Sequence, residues 1–235
     1  MYDVHCHMLP GIDDGSKSVD MSLELIRRSV QQGVRGIIFT PHFYADMNSP
    51  ETFLNRRARA LAELESRMGE IEGGVPIYTT GAEVHFFRGM CRVDSLDSLC
   101  IGKSNYILIE MPFRDWQPYM LDEIEEISKV RGLNVIIAHL ERYLDQDKRL
   151  VKRLINDPDI LIQCNAEFFI ERPTARKAVK MLKKGYIDLL ASDCHNLDSR
   201  RPNLSEAFGI IEQIDRHGAL DHIERTGEAI FGAAL

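Results

Sequence analysis

Two short segments space histidine and aspartate side chains so that they can hold a metal ion. The chain begins MYDVHCHMLPGIDDGS, which places His5 and His7 two residues apart, and the later segment ASDCHN gives Asp193 and His195 the same spacing. Residues i and i+2 of a β-strand point to the same face, so each pair can present two ligands toward one point. Imidazole and carboxylate ligands without thiolate suit Mn²⁺, Fe²⁺ or Zn²⁺.

Residues of the same chemistry end other strand-like segments. His42 follows Thr-Pro, Glu83 ends GAE, Glu110 ends YILIE and His139 ends NVIIAH, and the loop IDDGS offers either Asp13 or Asp14. Each residue alone has an ordinary explanation, such as a turn or a salt bridge. Together at one edge of a sheet, and without a metal, they would crowd four carboxylates into one pocket at an electrostatic cost. Their joint occurrence therefore favours a metal site.

The elements that position these residues alternate between strand and helix patterns. Segments such as GIIFT and YILIE are apolar without strict alternation, as in strands buried on both faces. The predicted strands are Tyr2–His7, Val34–Thr40, Ile77–Glu83, Tyr106–Glu110, Asn134–His139, Ile160–Asn165 and Asp188–Asp193. The predicted helices are Asp20–Gln32, Glu51–Glu72, Pro118–Arg131, Lys148–Asp157, Pro173–Lys184 and Pro202–His217. This alternation predicts an α/β fold with a parallel sheet that closes into a barrel, with the site at the carboxyl ends of the strands.

Composition narrows the class of protein. The chain has 235 residues, of which 44% are hydrophobic, enough for one sizeable core in a single domain, 1–235. The net charge of −7 does not suggest a nucleic-acid partner. No apolar run approaches the ~18 residues of a membrane span, and no signal peptide is evident. Five scattered cysteines without a CxxC pair argue against a disulfide framework and a thiolate site, which favours a cytoplasmic protein.

The motifs together resemble a known superfamily. DVHCHMLPGIDDGS, TPH, GAE, IEMP, AHLERY and ASDCHN, in this order, are similar to the PHP (polymerase and histidinol phosphatase) superfamily, and most of all to its bacterial protein-tyrosine phosphatase branch, encoded with capsule and exopolysaccharide genes. The resemblance implies a distorted seven-stranded (β/α) barrel that binds three divalent metal ions, with Mn²⁺ expected and Fe or Zn as alternatives. It also implies a phosphotyrosine protein as substrate, expected to be the cognate bacterial tyrosine kinase, and it leaves the formation of a homo-oligomer open.

The resemblance also implies roles for individual residues. The first ion would be held by His5, His7, Glu83 and Asp193, the second by Glu83, Glu110 and His139, and the third by Asp14, His42 and His195. Arg142 and Arg200 match the arginines that bind phosphate in the family, although either alone would suit a surface salt bridge. Cys6 stands where the family usually has Ser. The C-terminal segment RTGEAIFGAAL lacks the Asn-Pro start of the family's last helix.

The residues are also compatible with different chemistry. Cys194 and Arg200 satisfy C-x5-R, the signature of cysteine-dependent tyrosine phosphatases, but the intervening HNLDS has no glycine to shape a phosphate-cradling loop. A small-molecule phosphatase of the histidinol phosphate type and a non-catalytic metal-binding module would suit the same ligand pattern. The aromatic residues in the loops 85–87 and 112–116 either flank a substrate phenyl ring or pack within the loops. The histidines His85, His217 and His222 lie outside the predicted metal pattern.

Overall fold

A computed structural model describes residues 1–215 and 218–235 of the chain, and within these residues it contains nine strands and eight α-helices. The strands are β1 (Tyr2–Cys6), β2 (Gly36–Phe39), β3 (His42–Phe43), β4 (Ile77–Thr80), β5 (Glu83–His85), β6 (Tyr106–Glu110), β7 (Asn134–Ile137), β8 (Ile160–Asn165) and β9 (Leu189–Ala191). The helices are α1 (Val19–Gln31), α2 (Pro50–Glu65), α3 (Pro118–Lys129), α4 (Lys148–Ile155), α5 (Glu167–Ile170), α6 (Arg172–Leu182), α7 (Leu204–Ile214) and α8 (Ala219–Ala234).

The strands form a curled parallel sheet. Their order is β1-β2-β4 in one part and β3-β5-β6-β7-β8-β9 in the other, and every pairing is parallel. Backbone N–H groups of His7 and Asp193 donate to the carbonyls of Cys194 and His5, so the segments that follow β1 and β9 meet. The predicted parallel α/β fold is confirmed in this form.

The strand count differs from the predicted seven because two strands are interrupted. The first of them ends as β2 at Phe39, near the predicted end at Thr40, and continues after Pro41 as β3, which lies beyond the predicted strand. The predicted strand Ile77–Glu83 breaks at Gly81–Ala82 and gives β4 and β5. Pro41 has no N–H to donate to a ladder, which accounts for the first break. Backbone bonds still bridge both breaks, from Gly81 N to Phe39 O and from Glu83 N to Pro41 O.

The C-terminal helix α8 closes the sheet at the amino ends of its strands. Its buried side chains Ile230, Phe231 and Ala234 pack with residues such as Val4 and Leu108 in an apolar cluster separate from the main core. A Cβ on Gly36 would lie 2.9 Å from the Phe231 ring, so glycine permits this close approach. We call this end the base, formed by the Gly36 backbone and the three α8 side chains.

Most helix predictions are confirmed within two or three residues, with clear exceptions. The predicted helix Glu51–Glu72 ends at Glu65, and a short 3₁₀ turn follows at Met68–Glu70. Neither α5 nor α8 was predicted, and the predicted end of α7 at His217 lies outside the described residues. No helix in the described part of the chain is both long and apolar enough to cross a membrane.

Candidate metal centre

All nine predicted ligands gather at the carboxyl ends of the strands, at the opposite end from the base, and we call this end the mouth. These residues are His5 on β1, His7 just beyond it, His42 on β3, Glu83 on β5, Glu110 at the end of β6, His139 after β7, Asp193 and His195 after β9, and Asp14 in the loop after β1. Seven of them are buried, His42 is partly exposed, and the Asp14 side chain is 65% exposed. The parallel order of the strands explains why residues so distant in sequence meet.

The loop after β1 folds back over His7. The Ser16 N–H donates to the His7 carbonyl, and a Cβ on Gly15 would lie 2.2 Å from that same oxygen, so glycine is required. The Asp13 Oδ2 lies 2.7 Å from His7 Nδ1 and accepts a hydrogen bond from the His42 N–H. Asp13 therefore orients one ligand and the backbone of another, while Asp14 faces the site directly.

Four of the residues converge at spacings that suit ligands of one ion. The Nε2 atoms of His5 and His7 lie 3.2 Å apart, and each lies 3.2 Å from Glu83 Oε2. The Asp193 Oδ1 lies 3.6 Å from His5 Nε2 and 3.4 Å from His7 Nε2. Ligands bound at about 2.1 Å in tetrahedral or octahedral geometry are roughly 3.0–3.4 Å apart. The predicted first ligand set therefore has suitable geometry.

The second and third predicted sets are close to this first one. Asp14 Oδ1 lies 3.5 Å from His42 Nε2 and 3.4 Å from His195 Nε2, and these three residues with His7 form a group whose ligand atoms are all within 4.8 Å of one another. A further group joins His42, Glu83 and Glu110. The resemblance places His139 there instead, and His139 Nε2 lies 2.8 Å from Glu83 Oε1 and 3.5 Å from Glu110 Oε1.

Several of these ligand atoms lack a hydrogen-bond partner among the described residues. They are His42 Nδ1, Glu83 Oε2, Asp193 Oδ1 and His195 Nε2, and all of them are buried. His42 Nδ1 is only 2.9 Å from Glu83 Oε2, yet the two atoms do not have hydrogen-bond geometry. Buried polar atoms without partners are costly. Atoms that converge without bonding to one another fit a set of metal ligands.

The charges in the mouth are strongly coupled. Burial disfavours charge on Glu83, but the neighbouring His5 and His42 outweigh it and hold the pKa of that carboxyl well below its usual range. Burial would lower the pKa of His5, but Glu83 and Asp193 outweigh that effect and raise it. Burial together with the charge of His7 lowers the pKa of His195 to about 3, which keeps its imidazole neutral. A divalent cation would neutralise the carboxylates that these imidazoles now balance.

Two of the predicted ligands have unusual backbone conformations. His139 and Asp193 are the non-glycine residues with positive φ in the described chain, at 33° and 49°. Such conformations cost of order 1–3 kcal/mol and concentrate at functional sites. Two side chains on β8 hold these residues by hydrogen bonds, Gln163 at His139 and Asn165 at Asp193. Sequence analysis did not identify either as part of the site. Their i, i+2 spacing at the end of a strand was the available signal.

The two predicted phosphate-binding arginines lie at the edge of the mouth. Nη2 of Arg142 and Nη2 of Arg200 lie 2.5 and 2.7 Å from Asp193 Oδ2, the oxygen that faces away from the histidines. The side chains of the two arginines are 30% and 32% exposed, so part of each guanidinium faces the opening. The arrangement holds two positive groups beside the carboxylate cluster.

The cysteine in the C-x5-R segment lies on the opposite side from the mouth. Cys194 is fully buried in the main core, where it neighbours Cys6. A thiol in that position cannot attack a substrate that enters at the mouth. Both cysteines therefore lie in the core, away from the ligands.

His85, which sequence analysis placed outside the metal pattern, contacts one predicted ligand, because its Nδ1 lies 2.9 Å from Glu110 Oε2. His222 is indeed exposed, at 56% of its side chain. Among the loop aromatics, Phe86 and Trp116 are buried, whereas Phe113 is 61% exposed. Tyr44, which sequence analysis missed, has its ring 5.3 Å from those of both His42 and His85.

Comparisons with known proteins agree with this geometry. The profile of a family described as "Capsular polysaccharide synthesis, CpsB/CapC" matches residues 1–226. The tyrosine-protein phosphatase CpsB of Streptococcus agalactiae is 30% identical over 90% of this chain and 89% of its own length, and YwqE of Bacillus subtilis, also called a tyrosine-protein phosphatase, is 29% identical over 91% and 84%. A crystal structure reported for YwqE from Bacillus subtilis and CpsB from Streptococcus pneumoniae, described as "unique metal-dependent tyrosine phosphatases", has the same fold as this chain. The TM-score is 0.83 at 24% identity, and the match covers 100% of this chain and 96% of that one.

Proposed function

Because the chain belongs to the CpsB/CapC family of capsular polysaccharide synthesis, we propose that it is a metal-dependent protein-tyrosine phosphatase. The observation that carries this proposal is the convergence of five imidazoles and four carboxylates at the mouth, with buried ligand atoms that have no other partner among the described residues. Relatives named as tyrosine phosphatases supply the reaction class, and the mouth supplies the chemistry.

Three divalent ions, with Mn²⁺ expected, would be held by the nine residues in three sets. His5, His7, Glu83 and Asp193 form one set, and Glu83 would be shared with a second that includes Glu110 and His139. Asp14, His42 and His195 would hold the third ion. When bound, such ions lower the pKa of a water from ~15.7 toward ~7 and neutralise phosphoryl charge.

The chain's own residues would orient the phosphoryl group. The exposed N–H groups of Arg142 and Arg200 would donate to its peripheral oxygens, while Asp193 Oδ2 holds one nitrogen of each arginine in place. The leaving group of a phosphotyrosine has a pKa of ~10, so it needs less protonation than a serine alkoxide. Arg142 and Arg200 are thus the proposed catalytic residues.

An aromatic slot beside the mouth would receive the phenyl ring of the substrate. The rings of Tyr44 and His85 lie 5.3 Å apart, tilted by 44°. The exposed Phe113 has its ring 5.5 Å from that of Tyr143, which in turn lies 5.7 Å from the ring of His139. We take the substrate to be a tyrosine-phosphorylated protein, the cognate bacterial tyrosine kinase of capsule or exopolysaccharide synthesis, in the cytoplasm. The chain would act as a single domain, and its two interrupted strands would each count as one strand of a seven-stranded barrel.

The reaction is tested with p-nitrophenyl phosphate and with three physiological substrate classes. We expect chelation to abolish hydrolysis and Mn²⁺ to restore it, and kcat/KM to be highest for a phosphotyrosine peptide compared with a phosphoserine peptide and histidinol phosphate. Full activity in protein shown by elemental analysis to be metal-free would refute the metal mechanism. A preference for histidinol phosphate would assign the chain to small-molecule hydrolysis.

The aromatic slot is tested by Phe113→Ala. Loss of one ring contact, about 0.5–1.5 kcal/mol, should raise KM for the phosphotyrosine peptide roughly 2- to 13-fold and leave KM for phosphoserine peptide unchanged. Val130→Ala is the matched control, because Val130 is also an exposed apolar residue, at 76%, but follows α3. Equal effects of Phe113→Ala on both peptides would contradict the slot.

A further inference from the structure

We propose that Gln163 on β8 is a positioning residue that presents His5 and His139 to the metal site. The inference rests on the proposed metal centre and extends it to a residue that touches none of the proposed ions. None of the nine proposed ligands lies on β8, although this strand lies between β7 and β9, whose ends carry three of them. The side chain of Gln163 is fully buried, so its polar atoms need partners within the protein.

One oxygen of Gln163 bonds to two proposed ligands. The His139 backbone N–H donates to Gln163 Oε1 at 2.8 Å, and His5 Nδ1 lies 3.1 Å from the same oxygen. His5 belongs to the first proposed set and His139 to the second. A single amide therefore supports ligands of two ion positions.

The backbone bond also determines which nitrogen of His5 carries its proton. A backbone N–H can only donate, so the Gln163 atom that faces His139 must be the carbonyl oxygen and not the NH₂ group. An amide oxygen can only accept, so the His5 Nδ1 beside it must carry the hydrogen. The lone pair then lies on Nε2, the atom 3.2 Å from both Glu83 Oε2 and His7 Nε2. Gln163 thus selects the tautomer that can bind a metal through Nε2.

The other arm of the amide extends the same support. Gln163 Nε2 donates to Asn165 Oδ1 at 2.9 Å, and Asn165 Nδ2 donates to Asp193 Oδ2 at 2.8 Å. The two ligands with positive φ, His139 and Asp193, are both held by this pair of amides. An amide suits the role because it accepts and donates at once and adds no negative charge to a pocket already rich in carboxylates.

Two substitutions separate positioning from simple packing. Gln163→Met keeps the volume and removes every hydrogen bond, whereas Gln163→Glu keeps an acceptor for both His5 and His139 but buries a charge. If Gln163 only fills space, Gln163→Met should bind Mn²⁺ like the wild type, whereas Gln163→Glu should bind it more weakly because it buries a charge. If Gln163 positions ligands, the order is reversed for metal binding. Gln163→Met should lower Mn²⁺ affinity by about 10- to 100-fold. Gln163→Glu keeps the acceptor for His5 and His139 but loses the bond to Asn165, so its Mn²⁺ affinity should lie between those of Gln163→Met and the wild type.

Mn²⁺ affinity is measured by calorimetry together with metal content, and the melting temperature of each metal-free variant reports its folding. Gln32→Met is the matched control, since Gln32 also uses both arms, to the Pro202 carbonyl and from the Ser205 N–H, at a distance from the mouth. It should leave Mn²⁺ affinity unchanged. Mn²⁺ binding by Gln163→Met as tight as that of the wild type, or by Gln163→Glu as weak as that of Gln163→Met, would overturn the proposal.

A measurement on the wild-type protein guards against a variant that fails to fold. Long-range ¹H–¹⁵N spectra of the Zn²⁺-loaded protein should show the His5 proton on Nδ1, and a proton on Nε2 would overturn the inference. Wild-type protein that binds neither Mn²⁺ nor Zn²⁺ would instead refute the metal centre itself. The two failures are therefore distinguishable.

Discussion

The mouth and the base of the curled sheet are built by opposite means. At the mouth, nine ionisable side chains each lie close to at least one other, and buried atoms such as Glu83 Oε2 and Asp193 Oδ1 have no hydrogen-bond partner among the described residues. At the base, α8 packs Ile230, Phe231 and Ala234 into a cluster of buried apolar side chains. Burial stabilises the base on its own, whereas the mouth has buried polar atoms that a bound cation would satisfy.

Two buried aspartates show the contrast within a few ångströms. Asp3 receives hydrogen bonds from the Ser192 N–H at 2.9 Å and the Ser192 hydroxyl at 2.6 Å, and burial raises the pKa of its carboxyl to about 6. Burial also opposes charge on Asp193, but His5, His7 and Arg142 outweigh it and hold the pKa of Asp193 well below its usual range. The Asp3 carboxyl makes two hydrogen bonds and links β1 to the segment after β9. The charged Asp193 carboxyl has one oxygen, Oδ1, without a hydrogen-bond partner among the described residues, and this oxygen could bind a metal ion.

The largest effect should come from removing the shared ligand of the mouth. Glu83→Gln should lower phosphatase activity more than about 1,000-fold and release metal, because Glu83 contacts four imidazoles and would hold the ions that lower the pKa of a water from ~15.7 toward ~7. Kinetics and elemental analysis of the purified variant check this. The matched control is Asp3→Asn, in which the amide can keep both bonds to Ser192, and it should retain metal and activity. Equal losses in both would remove the distinction between the two carboxylates.

Next in size is a loss confined to the base. Phe231→Ala should lower the free energy of unfolding by about 3–5 kcal/mol, because it leaves a cavity under α8. Chemical denaturation measures this, and Phe231→Leu should cost less. The folded fraction should keep wild-type Mn²⁺ affinity and kcat. A large fall in Mn²⁺ affinity would show that the two ends are coupled.

A smaller effect is expected at the edge of the mouth. Arg142→Ala and Arg200→Ala should each retain metal and lose about 1.5–3 kcal/mol of substrate recognition, or roughly 10- to 150-fold in kcat/KM. Arg149→Ala is the control, since Arg149 is an exposed arginine paired with Asp147 away from the site. Steady-state kinetics with a phosphotyrosine peptide distinguish the variants. Near-wild-type values for Arg142→Ala and Arg200→Ala would assign them to support of Asp193 alone.

The smallest effect on activity should be that of Cys194→Ser. The thiol is fully buried in the main core, on the opposite side from the mouth, so kcat should stay near the wild-type value while the free energy of unfolding falls modestly. Activity and bound metal are measured on the same preparation. A loss of several orders of magnitude with metal retained would restore the cysteine mechanism.

The sequence by itself determined the ligand types, their spacing and the strands that carry them. His5 with His7 was predictable because the two-residue period of a strand is a local property. Asp193 and His195 were identified by the same spacing, but both lie beyond the end of β9, and Asp193 has a positive φ of 49°. Runs such as Tyr106–Glu110 and Ile160–Asn165 were predicted with the bounds that the structure has, since turn residues and apolar composition mark them. Residues of that kind at parallel strand ends must meet at one edge, whatever loops connect them.

Only the tertiary structure decided how the ligands are supported and how the sheet is closed. Gln163 and His85 acquire their roles through contacts with residues 158 and 25 positions away, and Asp13 accepts a hydrogen bond from the His42 N–H, 29 positions away. Helix α8 lacks the expected Asn-Pro start, and its place beneath the sheet follows from the fit of Phe231 against Gly36. Spacing along the chain specifies which faces residues share, whereas hydrogen-bond partners and close packing depend on distances that exist only once the sheet has curled.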